Sequence, residues 1–162
     1  SRYLTTQAKD DPVRYIHHEI GYNFRLTNIQ AALGVAQLEK LPEFLERKQE
    51  ILNKYQTAIN DVDGLTIADV PGYAENNHWM ILLQIDKKTY GEDREKLMHR
   101  LDLNNVQTRP AWAPIHMQKP YRNCQTYRID RAEELVLISL CLPSSTNLSD
   151  KNLNKVIAHL NG

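Results

Sequence analysis

Helical periodicity begins at Thr27. Thr27 is followed three positions later by Gln30, the capping-box pattern in which each side chain satisfies the other residue's free backbone N–H. Ile29, Ala32, Leu33, Ala36 and Leu38 then fall mostly on one side of a helix. Pro42 interrupts the hydrogen-bond ladder but suits the first turn of a second helix. That helix carries Leu41, Leu45, Ile51, Leu52, Tyr55 and Ile59 at near-helical spacing and ends near Asp63 and Gly64.

The pattern then shortens. Residues 65–70 form a strand candidate closed by Pro71 and Gly72, and residues 78–86 are mostly apolar between polar turns, as in a buried strand. Residues 92–103 are amphipathic through Leu97, Met98 and Leu101, and residues 106–109 suit a third strand. Residues 110–128, with three prolines and many polar and aromatic groups, read as a long ordered loop, a length uncommon without function. A helix over 131–137, a strand over 138–142 stopped by Pro143, and a final helix capped by Ser149 and running through Leu153, Val156, Ile157 and Leu160 complete the chain. Residues 1–26 read as an extended arm with little core of its own. The order of two long helices, then strand, strand, helix, strand, helix, strand, helix, predicts an α/β or α+β fold, with no internal repeat.

The 162 residues suffice for one domain with a real core. Twenty basic and twenty acidic residues cancel, so no global field favours nucleic acid or an anionic membrane. No apolar run approaches a membrane span and no signal pattern opens the chain, although the missing Met reads as a cut or processed end. Two cysteines are too few for a disulfide framework. Cys141, between Leu140 and Leu142, is expected as a buried core thiol, and a reducing cytoplasmic setting follows.

Three segments carry candidate chemistry. His17-His18-Glu19 lacks the four-residue histidine spacing and third ligand of a zinc helix, so no metal is expected; a polar turn or small-molecule contact fits better. Asn23 and Arg25 are two apart and project to one side of an extended segment, where an amide and a guanidinium suit a phosphate; a surface turn leading to a helix cap fits the same residues equally. Arg109, Trp112 and His116 leave a strand and enter the proline-stiffened loop, as a sugar or carboxylate pocket would need. A tryptophan capping the core explains Trp112 as well. No complete catalytic constellation is present.

Residues 17–32, from His17-His18-Glu19-Ile20-Gly21-Tyr22-Asn23-Phe24-Arg25 through Ala32 and followed by Gln37-Leu38, resemble a signature of the DegT/DnrJ/StrS sugar aminotransferases. A second block, residues 108–118, and Cys141-Leu142-Pro143-Ser144 with the capped last helix extend the resemblance over essentially the whole chain. It points most closely to the subgroup acting on nucleotide-linked hexoses for legionaminic-acid-like surface sugars. The resemblance implies the C-terminal part of a pyridoxal-phosphate (PLP) transferase of fold type I, with long helices on a small, mostly antiparallel sheet. It divides the chain into a tail of the large PLP-binding domain (1–26), connecting helices (27–60) and a small domain (61–162).

The same resemblance implies a homodimer with shared active sites. Asn23 reaches the partner's PLP phosphate, Arg25 lies in the same region, and His17, Arg109, Trp112 and His116 face the substrate. Glutamate and a keto-sugar nucleotide are the implied substrates. The lysine that binds PLP as a Schiff base falls upstream of these residues, so this chain alone is expected to be inactive. A sugar dehydratase of the same family and a non-catalytic α/β binding module are the alternatives.

Overall fold

The computed structural model describes residues 2–11 and 13–161. They divide into two compact units, one ending at Pro42 and one starting at Glu43.

The first unit opens with a one-turn helix α1 (Arg2–Thr5), followed by isolated antiparallel bridges pairing Thr6 with Asn23 and Asp11 with Ile16. Helix α2 (Asn28–Glu39) starts at the capping box expected from sequence: Thr27 Oγ1 accepts from Gln30 N–H, and Gln30 Oε1 accepts from Thr27 N–H at 2.9 Å. Its apolar side chains do not form a buried face. Ile29, Leu33, Val35 and Leu38 are all exposed, and Ala8 is the unit's one buried side chain among the described residues. Val35 lies off the stripe read from the sequence, so α2 is apolar around much of its circumference.

Helix α3 (Leu41–Ile59), which belongs to the second unit from Glu43 on, buries Ile51, Leu52, Tyr55 and Ile59, whereas Leu41 and Leu45 stay exposed. The sheet has order β1-β2-β4-β3 and is antiparallel throughout: β1 (Leu65–Ile67), β2 (Ile81–Ile85), β3 (Arg109–Pro110) and β4 (Ser139–Leu142). Helices α4 (Lys87–Tyr90), α5 (Arg94–Leu103), α6 (Asp130–Ile138) and α7 (Asp150–Leu160) complete the unit. The alternation of β2 buries Ile81, Leu83 and Ile85, and the register sets Ile81 opposite Leu142 and Leu83 opposite Leu140. That sheet face packs with α3, α5 and α7 into a single core. Ser149 caps α7 and Asp93 caps α5, each accepting from the backbone N–H three residues on.

Several sequence expectations shift. The strand expected over 106–109 reduces to two residues, because Val106 belongs to the core behind α5 and pairing with β4 begins only at Arg109. Residues 110–128 contain two short 3-10 turns, Ile115–Met117 and Lys119–Tyr121. Cys141 is half-buried and no core thiol. Leu140 and Leu142 take the core side of β4, so Cys141 projects to the other face, opposite Leu82 and Arg109 in the register. Its partial burial pushes the thiol pKa up.

Candidate functional site

In the first unit, three of the singled-out side chains gather around one turn. Gln7 and Ala8 both have positive φ, 75° and 45°. Left-handed backbone crowds Cβ against the carbonyl in any residue but glycine, at a cost on the order of 1–3 kcal/mol per residue. The turn persists because its surroundings fix it. Gln7 N–H donates to Tyr22 O at 2.9 Å, Ala8 N–H donates to Tyr3 O at 2.8 Å, and Ala8 is fully buried. Gly21 lies against the same turn. A Cβ there would sit 2.3 Å from Ala8 N and 2.3 Å from the Gln7 carbonyl carbon, so only glycine allows this approach.

His17 Nδ1 lies 2.7 Å from Gln7 O and 3.1 Å from Ala8 O. Carbonyls only accept, so Nδ1 carries the proton. Arg25 donates from Nε to Asn23 Oδ1 at 3.1 Å and from Nη2 to Gln7 Oε1 at 2.8 Å. Asn23 and Arg25 therefore meet, as two-residue spacing in an extended segment implies, while Tyr22 and Phe24 stack on each other with ring centroids 5.5 Å apart. Nearby, Asp10 Oδ2 accepts from His18 N–H and from the Tyr3 hydroxyl, both at 2.8 Å. These bonds hold the Asp10 carboxyl below its usual range, the His18 N–H contributing most, and Asp10 pushes the Tyr3 pKa up to about 12.

The donor set fits a phosphate. Arg25 is oriented by two neutral amide oxygens and by no carboxylate among the described residues, so its charge is not cancelled. The oxygen end of the Asn23 amide is engaged by Arg25, which leaves its NH2 end to donate.

The second unit holds Arg109, Trp112 and His116. Arg109 is exposed on β3, on the sheet face away from the core. Trp112 is 66% exposed and meets the edge of Trp79, itself 63% exposed, at 5.7 Å between centroids and 66° between planes. Trp112 therefore does not cap the core; it pairs with a second tryptophan at the surface. The Trp79 backbone is pinned beneath its exposed indole: its N–H donates to Asn77 Oδ1, and its carbonyl accepts from Lys48 Nζ at 3.2 Å and Ser144 Oγ at 3.1 Å. Partial burial lowers the Lys48 pKa. His116, in the first 3-10 turn, places Nε2 2.8 Å from Glu133 Oε1 of α6. None of these contacts joins Arg109 to Trp112 or His116.

Sequence patterns did not select Gln7, Trp79 or Glu133. Trp79 sat within an expected strand, and the other two act through folding contacts with no spacing signature. Among the described residues no group of three or more His, Cys, Asp or Glu is placed to hold a metal ion. No helix among them is long and apolar enough to cross a membrane.

Known proteins share this architecture. The chain is 34% identical over 163 residues to EpsN of Bacillus subtilis (strain 168), designated a pyridoxal phosphate-dependent aminotransferase, covering 97% of this chain and 41% of EpsN. It is 34% identical over 149 residues to the GDP-perosamine synthase of Escherichia coli O157:H7, covering 91% of this chain and 39% of that protein. The structure superposes on DesI, solved in the presence of its TDP-sugar product, with a TM-score of 0.81 at 28% identity, covering 99% of this chain and 42% of DesI. The chain thus spans about two fifths of the length of its relatives. Residues 2–161 match the model of the DegT/DnrJ/EryC1/StrS aminotransferase family, and the chain belongs to that family.

Proposed function

We propose that this chain supplies a phosphate-contacting arm and a small domain to a PLP-dependent aminotransferase that moves an amino group from glutamate to a keto-sugar nucleotide. In this reading residues 1–26 close the large PLP-binding domain, residues 27–60 connect, and residues 61–162 form the small domain. The observation that carries it is the Gln7–Asn23–Arg25 cluster, a guanidinium with an uncancelled charge beside an amide donor. PLP, when bound, supplies the electron sink for amino transfer, and the protein's part is to bind and orient it. Asn23 and Arg25 contact its phosphate across a homodimer interface, which agrees with the exposed apolar side chains of α2. His17, Arg109, Trp112 and His116 face the sugar-nucleotide substrate. The product feeds amino-sugar or surface-polysaccharide synthesis in the cytoplasm.

Cofactor titration of the intact dimeric enzyme tests the arm. Loss of a hydrogen bond to a charged group costs about 1.5–3 kcal/mol, so Asn23→Ala should weaken PLP binding roughly tenfold to hundredfold. Unchanged affinity would remove Asn23 from the phosphate site. Protein-dependent amination of a keto-sugar nucleotide by glutamate is expected from the intact enzyme and not from this chain alone; dehydration without amination would instead select a dehydratase. His116→Ala in the intact enzyme should lower kcat/KM while leaving Tm nearly unchanged, and wild-type kinetics would take His116 out of the pocket.

A further inference from the structure

We propose that Gln7 is a positioning residue for the phosphate site: it fixes the Arg25 guanidinium through a neutral acceptor and so leaves the arginine charge for the ligand. The inference rests on the reading of Asn23 and Arg25 as phosphate ligands and gives Gln7, which that reading only places beside them, a role of its own.

Three observations carry it. First, Gln7 sits in the doubly left-handed Gln7–Ala8 turn, a conformation that neither residue adopts readily and that is held from three sides by Tyr3, Tyr22 and Gly21. Second, the turn places both ends of Gln7 in the cluster. Its backbone carbonyl accepts from His17 Nδ1 at 2.7 Å, and its side-chain Oε1 accepts from Arg25 Nη2 at 2.8 Å. Third, the chemistry of the acceptor matters. Two fixed N–H bonds, to Gln7 and Asn23, define the plane of the guanidinium and leave three of its five N–H groups for a ligand. A carboxylate in place of the Gln7 amide would orient the same fork and cancel its charge, because an Arg–carboxylate pair competes with Arg–phosphate for the same donors. Gln7 orients without competing.

Gln7→Glu and Gln7→Ala in the intact enzyme separate these effects. Affinity is measured for PLP and for pyridoxal, which has the same ring and aldehyde but no phosphate. Gln7→Glu, nearly isosteric, should weaken PLP tenfold or more and leave pyridoxal unchanged. Gln7→Ala should weaken PLP severalfold, again with pyridoxal unchanged. In an Arg25→Ala background both effects should disappear, since Gln7 acts through Arg25. Equal weakening of PLP and pyridoxal by the Gln7 variants would show a merely structural residue and overturn the proposal. Wild-type PLP affinity in both Gln7 variants, with Arg25→Ala weakened, would overturn it too while sparing the phosphate site. If Arg25→Ala itself leaves the preference for PLP over pyridoxal intact, the phosphate reading falls and the Gln7 proposal with it. Should Gln7→Glu fail to fold, Gln7→Ala with and without Arg25→Ala still decides whether Gln7 acts through Arg25: PLP-selective weakening only where Arg25 is present supports the proposal, and its absence overturns it.

Discussion

The two units of this chain are held together by different means. From Glu43 onward, sixteen buried apolar residues from α3, α5, α7 and the sheet, with Val106 after α5, form one contiguous core among the described residues, and side-chain hydrogen bonds tie down its margins. Up to Pro42, one alanine is buried among the described residues, and order comes from a strained turn, a capped helix and hydrogen bonds among exposed side chains. A core tolerates the loss of a surface contact because burial supplies most of its stability. A hydrogen-bonded arm has no such reserve, and its exposed Ile29, Leu33 and Leu38 are what a larger assembly would cover. The arm carries Asn23 and Arg25, the donors proposed for a phosphate, so the segment assigned the most specific chemistry is the one least able to support itself.

The largest contrast lies in truncating apolar side chains. Leu140→Ala in this chain should cost about 2–5 kcal/mol in denaturant unfolding, since Leu140 is fully buried between β2 and the helices. Leu33→Ala should stay within about 0.5 kcal/mol, Leu33 being 63% exposed. A cost of several kcal/mol at Leu33 would erase the distinction between the units.

Glycines give the next test, within the arm itself. Gly21→Ala drives a methyl into the backbone of the Gln7–Ala8 turn and should destabilise it by about 1–3 kcal/mol, read as faster hydrogen exchange at the Ala8 and Gln7 amides. Gly34→Ala meets open space on α2 and should slow exchange there, a helical gain of about 0.5–1 kcal/mol. Equal behaviour of the two variants would mean that the turn is not the clamp described above.

Acid gives the smallest and most local effect. Asp150 is held below its usual range first by Lys54 and then by Arg47, and Asp10 first by His18 N–H and then by Tyr3. A lowered folded pKa means that each contribution is present above the unfolded carboxylate value of about 4 and is lost as pH falls through the lowered value. Below that point the junction of α7 with α3 loosens over an intact core, whereas release of Asp10 frees His18 and Tyr3 with no core behind them. NMR through an acid titration should show the His18 amide and the first turn of α7 shifting while the signals of the buried core stay in place. Asp10→Asn should abolish the His18 response.

The contrast between units also governs what the sequence made legible. The capping box at Thr27, the Ser149 cap, the buried stripe of β2 and the core faces of α5 and α7 follow from periodicity and side-chain reach, which are local. Helix α4 was missed because four residues carry no periodicity; its Asp86 cap and left-handed Gly91 end were the available signals. Cys141 was misplaced because an apolar run on a strand does not say which side chains face inward until the register is known. Asn23 and Arg25 were legible as a pair. Gln7 was not, because positive φ in glutamine and alanine leaves no mark in composition, and its partners lie 10 and 18 residues away.

Trp79 and Trp112 have an optical consequence. They are the chain's two tryptophans, and they touch. Tryptophan emission from this polypeptide therefore originates at one surface patch that includes the 110–128 loop and reports on that patch alone. A molecule settling against either indole should change the intensity or shift the maximum. A single cuvette measurement, excited at the red edge where tyrosine does not absorb, can thus tell whether a ligand has reached that patch.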